Sequence, residues 1–167
     1  MSPPVQTAVQ IAWVTPSLDA TEAALTGLLG VKKWVRMPEV HFAPDTCTYR
    51  GRPADFVASI SLAYLGDLQL ELIEPVRGES VYSEFLSAQG AGGLHHICTE
   101  APDVAGFDAA LADATARGAD IVGQGVMPGG MRFAYVSSPD AAVPYLEIAH
   151  IPDDIKSFFA YIKQEQQ

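Results

Sequence analysis

Apolar positions along this chain follow two periods, one of strands and one helical, and the two alternate in the same order in each half. The segment from Gln10 to Leu25 aligns without a gap on the segment from His96 to Leu111, sharing Ile, Pro, Ala, Ala and Leu at matching places. Each copy reads as a short strand, a proline turn and a helix. In the first helix Ser17 and Asp19 are candidate caps, with Asp19 and Glu22 at capping-box spacing. Leu25, Leu28 and Leu29 form its apolar stripe and Gly30 ends it. In the second, Asp103 is the cap, Val104, Phe107 and Leu111 share one face, and Gly118 is the stop.

After each helix the period falls to two. Strands are expected at 31–37, 56–64 and 68–73 in the first half, and at 119–126, 131–136 and 145–149 in the second. The pattern is βαβββ written twice. It predicts an α+β fold of paired βαβββ modules, one domain over residues 1–167, with repeats at about 7–75 and 92–150. Between Pro38 and Pro53 three prolines and Gly51 interrupt any regular spacing, so an irregular excursion is expected there. A linking helix from Ser80 to Gln89 precedes the flexible run Gly90 to Gly93. A last amphipathic helix at about 153–163 carries Ile155, Phe158, Phe159 and Ile162 on one face, to be docked on the domain or on a partner.

Composition narrows the function. With 167 residues, half of them hydrophobic, the chain is long enough for one sizeable core, which excludes fibrous and disordered readings. No apolar run reaches membrane-spanning length and the start at Met1 lacks a signal-like pattern, so a cytoplasmic protein is expected. A net charge of −10 argues against nucleic acid as a partner. Cys47 and Cys98 are too few and too distant for a disulfide framework or a cysteine metal cluster and read as buried free thiols.

The candidate chemistry sits at equivalent strand positions. In Leu70-Glu71-Leu72 and Leu146-Glu147-Ile148 the apolar neighbours face the helices, so Glu71 and Glu147 face the other way. The same alternation around Ile11 and Ile97 turns Gln10 and His96 to the carboxylate side. Two half-sheets would present Gln10, Glu71, His96 and Glu147 to one concavity, an amide oxygen, an imidazole and two carboxylates that suit a first-row divalent metal. The pattern leaves open whether the concavity closes within a chain or between chains.

The paired βαβββ pattern, the opening Gln10 to Asp19, the segment Leu70 to Pro75 and the run Gly92-Gly93-Leu94-His95-His96-Ile97 resemble the vicinal oxygen chelate (glyoxalase/bleomycin resistance/dioxygenase) superfamily. The resemblance covers about residues 7–150. Within it, Leu68 through Ile97 is most similar to the methylmalonyl-CoA epimerases. It implies a glyoxalase-like cupped sheet, one divalent ion (Zn, Co, Ni, Mn or Mg) held by Gln10, Glu71, His96 and Glu147, a small carbonyl substrate such as an acyl-CoA thioester, and a homodimer. Two departures stand out. The epimerases carry His where this chain has Gln10, and they place a further base on a first-half strand, where Asp55 is the only carboxylate between residues 55 and 64. The Gln, Glu, His, Glu set instead resembles the metal shell of the eukaryotic type of glyoxalase I.

Two carboxylates on a divalent ion neutralise it, so a glutamate that leaves the ion restores positive charge and frees a base at once. Glu147 is the first choice for the residue that moves a proton next to a carbonyl, and Glu71 the second. Isomerase or epimerase chemistry is the leading expectation. A glyoxalase-type lyase and a metal-free small-molecule-binding protein are the alternatives. Lys32, Lys33, Arg36, Arg50 and Arg52 fall close together and are candidates for an anionic tail. Arg132, Trp13 and Tyr145 are candidate substrate contacts, and His41, His95 and His150 read as structural.

Overall fold

The computed structural model describes residues 6–167. The first module comprises β1 (Thr7–Val14), α1 (Leu18–Leu29), β2 (Val35–Phe42), an inserted hairpin of β3 (Cys47–Tyr49) and β4 (Arg52–Pro53), then β5 (Phe56–Leu65) and β6 (Leu68–Arg77). The linking helix is α2 (Val81–Ala88). The second module comprises β7 (Gly93–Glu100), α3 (Val104–Ala116), β8 (Asp120–Val126), β9 (Arg132–Ser137) and β10 (Tyr145–His150), followed by α4 (Asp153–Gln164). All ten strands join one curled sheet in the order β2-β5-β6-β1-β7-β10-β9-β8-β3-β4. In each module the first strand pairs in parallel with the last, β1 with β6 and β7 with β10, and the modules meet where β1 runs antiparallel to β7.

Local chemistry sets the element ends. Ser17 alone caps α1, accepting from the Ala20 amide, and Gly30 closes the helix in the left-handed region. The Asp19–Glu22 pair expected as a capping box is instead a surface clamp in which both carboxylates bind Arg36. Asp103 caps α3 and Ser80 with Ser83 forms a capping box on α2. Gly92 has φ 79°, and a Cβ there would lie 2.4 Å from the Val14 carbonyl oxygen. Only glycine lets the start of β7 settle against the end of β1.

The stretch Pro38–Pro53 is more ordered than its prolines suggest. β2 begins four residues later than expected, at Val35, and runs through Pro38 to Phe42, with Glu39 at positive φ where the pairing to β5 shifts. The β3–β4 hairpin then crosses to the other module and pairs with β8. Proline is tolerated because β2 and β4 are the two outer strands of the sheet, where a missing amide N–H need not break a ladder bond.

The convex face buries Val31, Ala63 and Leu70 in the first half, and packs Phe107, Ala110 and Leu111 of α3 on Ala134, Val136 and Ile148 in the second. The concave face holds the main core, with Phe42, Phe56, Ile60, Leu62, Tyr82, Phe133 and Tyr135. The C-terminal helix lies over this hollow of its own chain and buries Ile162 there. Ion pairs Lys33–Glu165 and Lys163–Asp67 tie it down. Among the described residues no helix is long and apolar enough to cross a membrane.

Candidate active site

At the seam of the two modules, β1 and β7 run side by side and β6 and β10 flank them. The His96 side chain is fully buried, and its Nε2 lies 2.8 Å from Glu147 Oε2, 3.5 Å from Glu71 Oε1 and 3.3 Å from Gln10 Oε1. One chain thus supplies all four residues. The ligand atoms of Glu71, His96 and Glu147 lie within 4.8 Å of one another, a spacing that a single cation can span. An imidazole nitrogen, an amide oxygen and two carboxylates converging on one point fit a divalent first-row metal.

Both neutral donors are held from behind. The Gln10 amide nitrogen donates to Gln69 Oε1 at 2.6 Å, which turns Gln10 Oε1 toward His96, and Gln69 in turn donates to the Tyr64 hydroxyl at 3.1 Å. On the other side of the imidazole, His96 Nδ1 lies 2.8 Å from Nδ1 of the buried His95. Gln69 was open to detection, since it lies on the same strand face as Glu71, two residues earlier. His95 was not, because strict alternation puts it on the opposite face from His96.

Electrostatics explain how these buried charges coexist. Burial alone would lower the His96 pKa, but the Glu147 and Glu71 carboxylates outweigh it and push it up to about 9. Burial raises the Glu71 carboxyl, an effect that the nearby imidazole opposes. Without metal, a proton on His96 does the cation's work. A folded-state pKa raised above the ordinary 6.5 adds stability that is complete below 6.5 and lost as pH rises through about 9. Thermal melts of chelator-treated protein are therefore expected to show Tm falling across that window, where stability declines by about 1.4 kcal/mol for each step of one in pH. A flat profile would show that His96 does not carry that proton.

The carboxylates open into a cavity of about 650 Å³ including its mouth, walled by Met37, Ile60, Leu62, Met131 and Phe133 and covered by Ile155, Phe158 and Phe159 of α4. Gln10, Glu71, Glu147, Tyr82 and Tyr135 supply its polar groups. The two tyrosine hydroxyls are 2.5 Å apart and buried, and burial holds both far above the usual phenol range, so they stay neutral donors. Sequence reasoning missed this pair.

Other expected residues lie elsewhere. Trp13 packs on the convex side with Val31, Ala63 and Leu70, and Arg132 lines a groove beside Phe107 and Asp108 of α3. Each sits one residue out of phase with the cavity-facing positions of its strand, so neither contacts the cavity. Tyr145 is on the concave side, its ring 4.9 Å from that of His95, but it does not line the cavity. Of the clustered cations, Arg36, Lys33 and Arg50 are paired with Asp19 and Glu22, Glu165 and Glu84 at the surface. Asp55 is likewise remote, bound to His41 and Arg77.

Known proteins share this arrangement of strands. A methylmalonyl-CoA epimerase from Mycobacterium tuberculosis superposes with TM-score 0.62 at 16% identity, over 94% of this chain and 96% of that one. The Streptomyces coelicolor methylmalonyl-CoA epimerase in complex with 2-nitronate-propionyl-CoA superposes with TM-score 0.58 at 20% identity, over 88% and 98%. In sequence, 96 residues are 29% identical to the mitochondrial methylmalonyl-CoA epimerase of Homo sapiens, covering 56% of this chain and 46% of that protein. The chain spans less than half the length of the curated relatives it matches. Residues 9–135 match the Glyoxalase/Bleomycin resistance protein/Dioxygenase superfamily as a whole, in keeping with the paired modules and the site at their seam, and the chain belongs to that superfamily.

Proposed function

We propose that this protein is a divalent-metal-dependent epimerase or isomerase that moves a proton at the carbon next to a carbonyl, on an acyl thioester. The observation that carries the reading is the convergence of Gln10, Glu71 and Glu147 on the buried His96, with the amide and both carboxylates lining a mainly apolar cavity. The sequence likeness to methylmalonyl-CoA epimerases supports the reaction class.

Bound by these four residues, a divalent cation supplies Lewis-acid charge beside the substrate carbonyl. The chain does the rest. Glu147 accepts the α-proton as a carboxylate. Glu71, the second carboxyl of the site, returns a proton to the α-carbon, so that one glutamate serves as base and the other as acid. Of the two protons on the Tyr82 and Tyr135 hydroxyls, one makes the bond between them and the other is available to a substrate oxygen. The apolar walls and the α4 cover exclude water while the carbanion equivalent exists. The test is a panel of α-branched acyl-CoA thioesters incubated in deuterium oxide with metal-loaded protein. Deuterium incorporation at the α-carbon with an unchanged carbon skeleton is expected; cleavage or rearrangement of the skeleton without it would indicate the lyase reading.

The assembly proposed is a homodimer formed through the convex face. Ile11, Ile97 and Leu146 are cross-strand neighbours there, and Leu94, Ile97 and Leu146 are 54%, 38% and 37% exposed. Sedimentation should give a dimer, and Ile97→Glu should shift it to monomer without loss of secondary structure. A monomer in the unsubstituted protein would refute the dimer.

A further inference from the structure

The seam contains the same backbone irregularity twice. Across the β1–β7 ladder Ala8 pairs with Thr99 and Gln10 with Cys98, leaving Val9 as an extra residue; Ala12 pairs with His96 and Trp13 with Leu94, leaving His95 as the other. The two bulges are related by the internal repeat, since each extra residue directly precedes a candidate ligand, Val9 before Gln10 and His95 before His96. A bulge turns two successive side chains toward one face. In the first module the side chain so turned is apolar and packs near Cys98, Met131 and Ile151. In the second it is an imidazole.

The hydrogen bonds of that imidazole settle its tautomer. His95 Nε2 faces the Val81 carbonyl oxygen at 3.3 Å, an acceptor only, so Nε2 carries the proton. His95 is fully buried among aromatic rings, and its two nitrogens face one carbonyl oxygen and one imidazole, an arrangement that accommodates a neutral ring. Its Nδ1 is then a lone pair, and the contact at 2.8 Å requires His96 Nδ1 to be the donor. With the proton of neutral His96 fixed on Nδ1, the remaining lone pair is on Nε2, the atom that faces Glu71, Glu147 and Gln10. The rings of Tyr82, Phe85, Tyr135 and Tyr145 pack around His95 at centroid distances of 4.9 to 5.7 Å and hold its plane.

We propose that His95 is a positioning residue: placed by the β7 bulge and anchored on the Val81 carbonyl, it fixes the tautomer and orientation of His96 so that Nε2 is presented as the nitrogen ligand of the site. The proposal rests on the metal reading for its consequence but not for its geometry. A partner that accepts the far N–H of a metal-bound imidazole raises its basicity and stops it rotating, and loss of such a partner typically costs roughly 10- to 100-fold in metal affinity.

Two measurements test it. Cobalt(II) titrations of the metal-free protein are expected to show His95→Phe weakened by roughly 10- to 100-fold. His95→Gln, whose amide retains one acceptor and one donor, should recover most of that loss. Equal affinity in folded His95→Phe would overturn the proposal, as would a Gln variant no better than Phe. Ring-nitrogen NMR of the metal-free, unsubstituted protein supplies the second arm. It should show His95 protonated on Nε2 and bare on Nδ1, with His96 protonated on Nδ1. A proton on His95 Nδ1 would overturn the proposal whatever the metal result. Absence of cobalt binding by the unsubstituted protein would count against the metal reading, and the NMR arm would then decide the positioning alone.

Discussion

Replacing Glu147 by Gln is expected to lower exchange of the substrate's α-proton with solvent by roughly 10²- to 10⁴-fold, the usual cost of losing a general base. The amide keeps the size of the side chain and an oxygen toward His96, so cobalt(II) should still bind, though less tightly. Glu147 is nearly as buried as His96 and lies 2.8 Å from its Nε2. Loss of its charge also removes the nearest anion from the imidazole, so the chelator-treated variant should retain less of the pH-dependent stability described above. Exchange and net epimerisation are expected to fall together, because proton removal precedes either fate of the carbanion equivalent. Glu71→Gln separates the two roles. If Glu71 is the acid, its loss should slow net inversion more than proton removal. A Glu147→Gln enzyme with metal bound and exchange undiminished would move the base to Glu71.

The paired modules and the seam were legible because they depend on side-chain periodicity. The match between Gln10–Leu25 and His96–Leu111, with alternation around Glu71 and Glu147, was enough to bring four residues from four strands to one point. Backbone departures from that periodicity were not legible. A one-residue bulge leaves no mark in the hydrophobic pattern, so His95 read only as structural, although its ring lies against that of His96. Pro38 and Pro53 read as breakers because the sequence does not show which strands are outermost. The cover was half legible: the apolar face of the last helix showed in the spacing of Ile155, Phe158 and Ile162, but nothing in that spacing says which hollow it fills. Electrostatic partners were least legible of all. Of the cations read as candidates for an anionic tail, Lys33 and Arg50 meet acids from distant parts of the chain, Glu165 and Glu84, which no local pattern reveals.

The fold also explains why the site can tolerate so much buried charge. Its two carboxylates sit in a cavity whose other walls are mainly aliphatic and aromatic, where an unpaired charge is costly. The central imidazole must therefore be either protonated or replaced in that duty by a cation. That requirement makes His96 the residue whose removal should have the largest effect.

His96→Ala is expected to abolish stoichiometric cobalt(II) binding, since it removes the site's only nitrogen ligand and leaves a neutral amide and two carboxylates. It should also destabilise the metal-free protein, because Glu71 and Glu147 then face each other in a buried site with no cation between them. Breaking a buried ion pair by removing one partner commonly costs about 3 to 5 kcal/mol. The pH dependence distinguishes this loss from that of a simple cavity. With His96 present, stability is lost as pH rises through about 9. In His96→Ala the loss should begin lower, as the two carboxyl groups ionise against each other, and acidification should restore part of it. His96→Gln, which offers one oxygen and an amide donor to Glu147, should recover stability more than metal affinity. Stoichiometric cobalt retained tightly by folded His96→Ala would place the metal elsewhere, and a His96→Ala protein as stable as its parent at neutral pH would show that the two carboxylates do not depend on the imidazole.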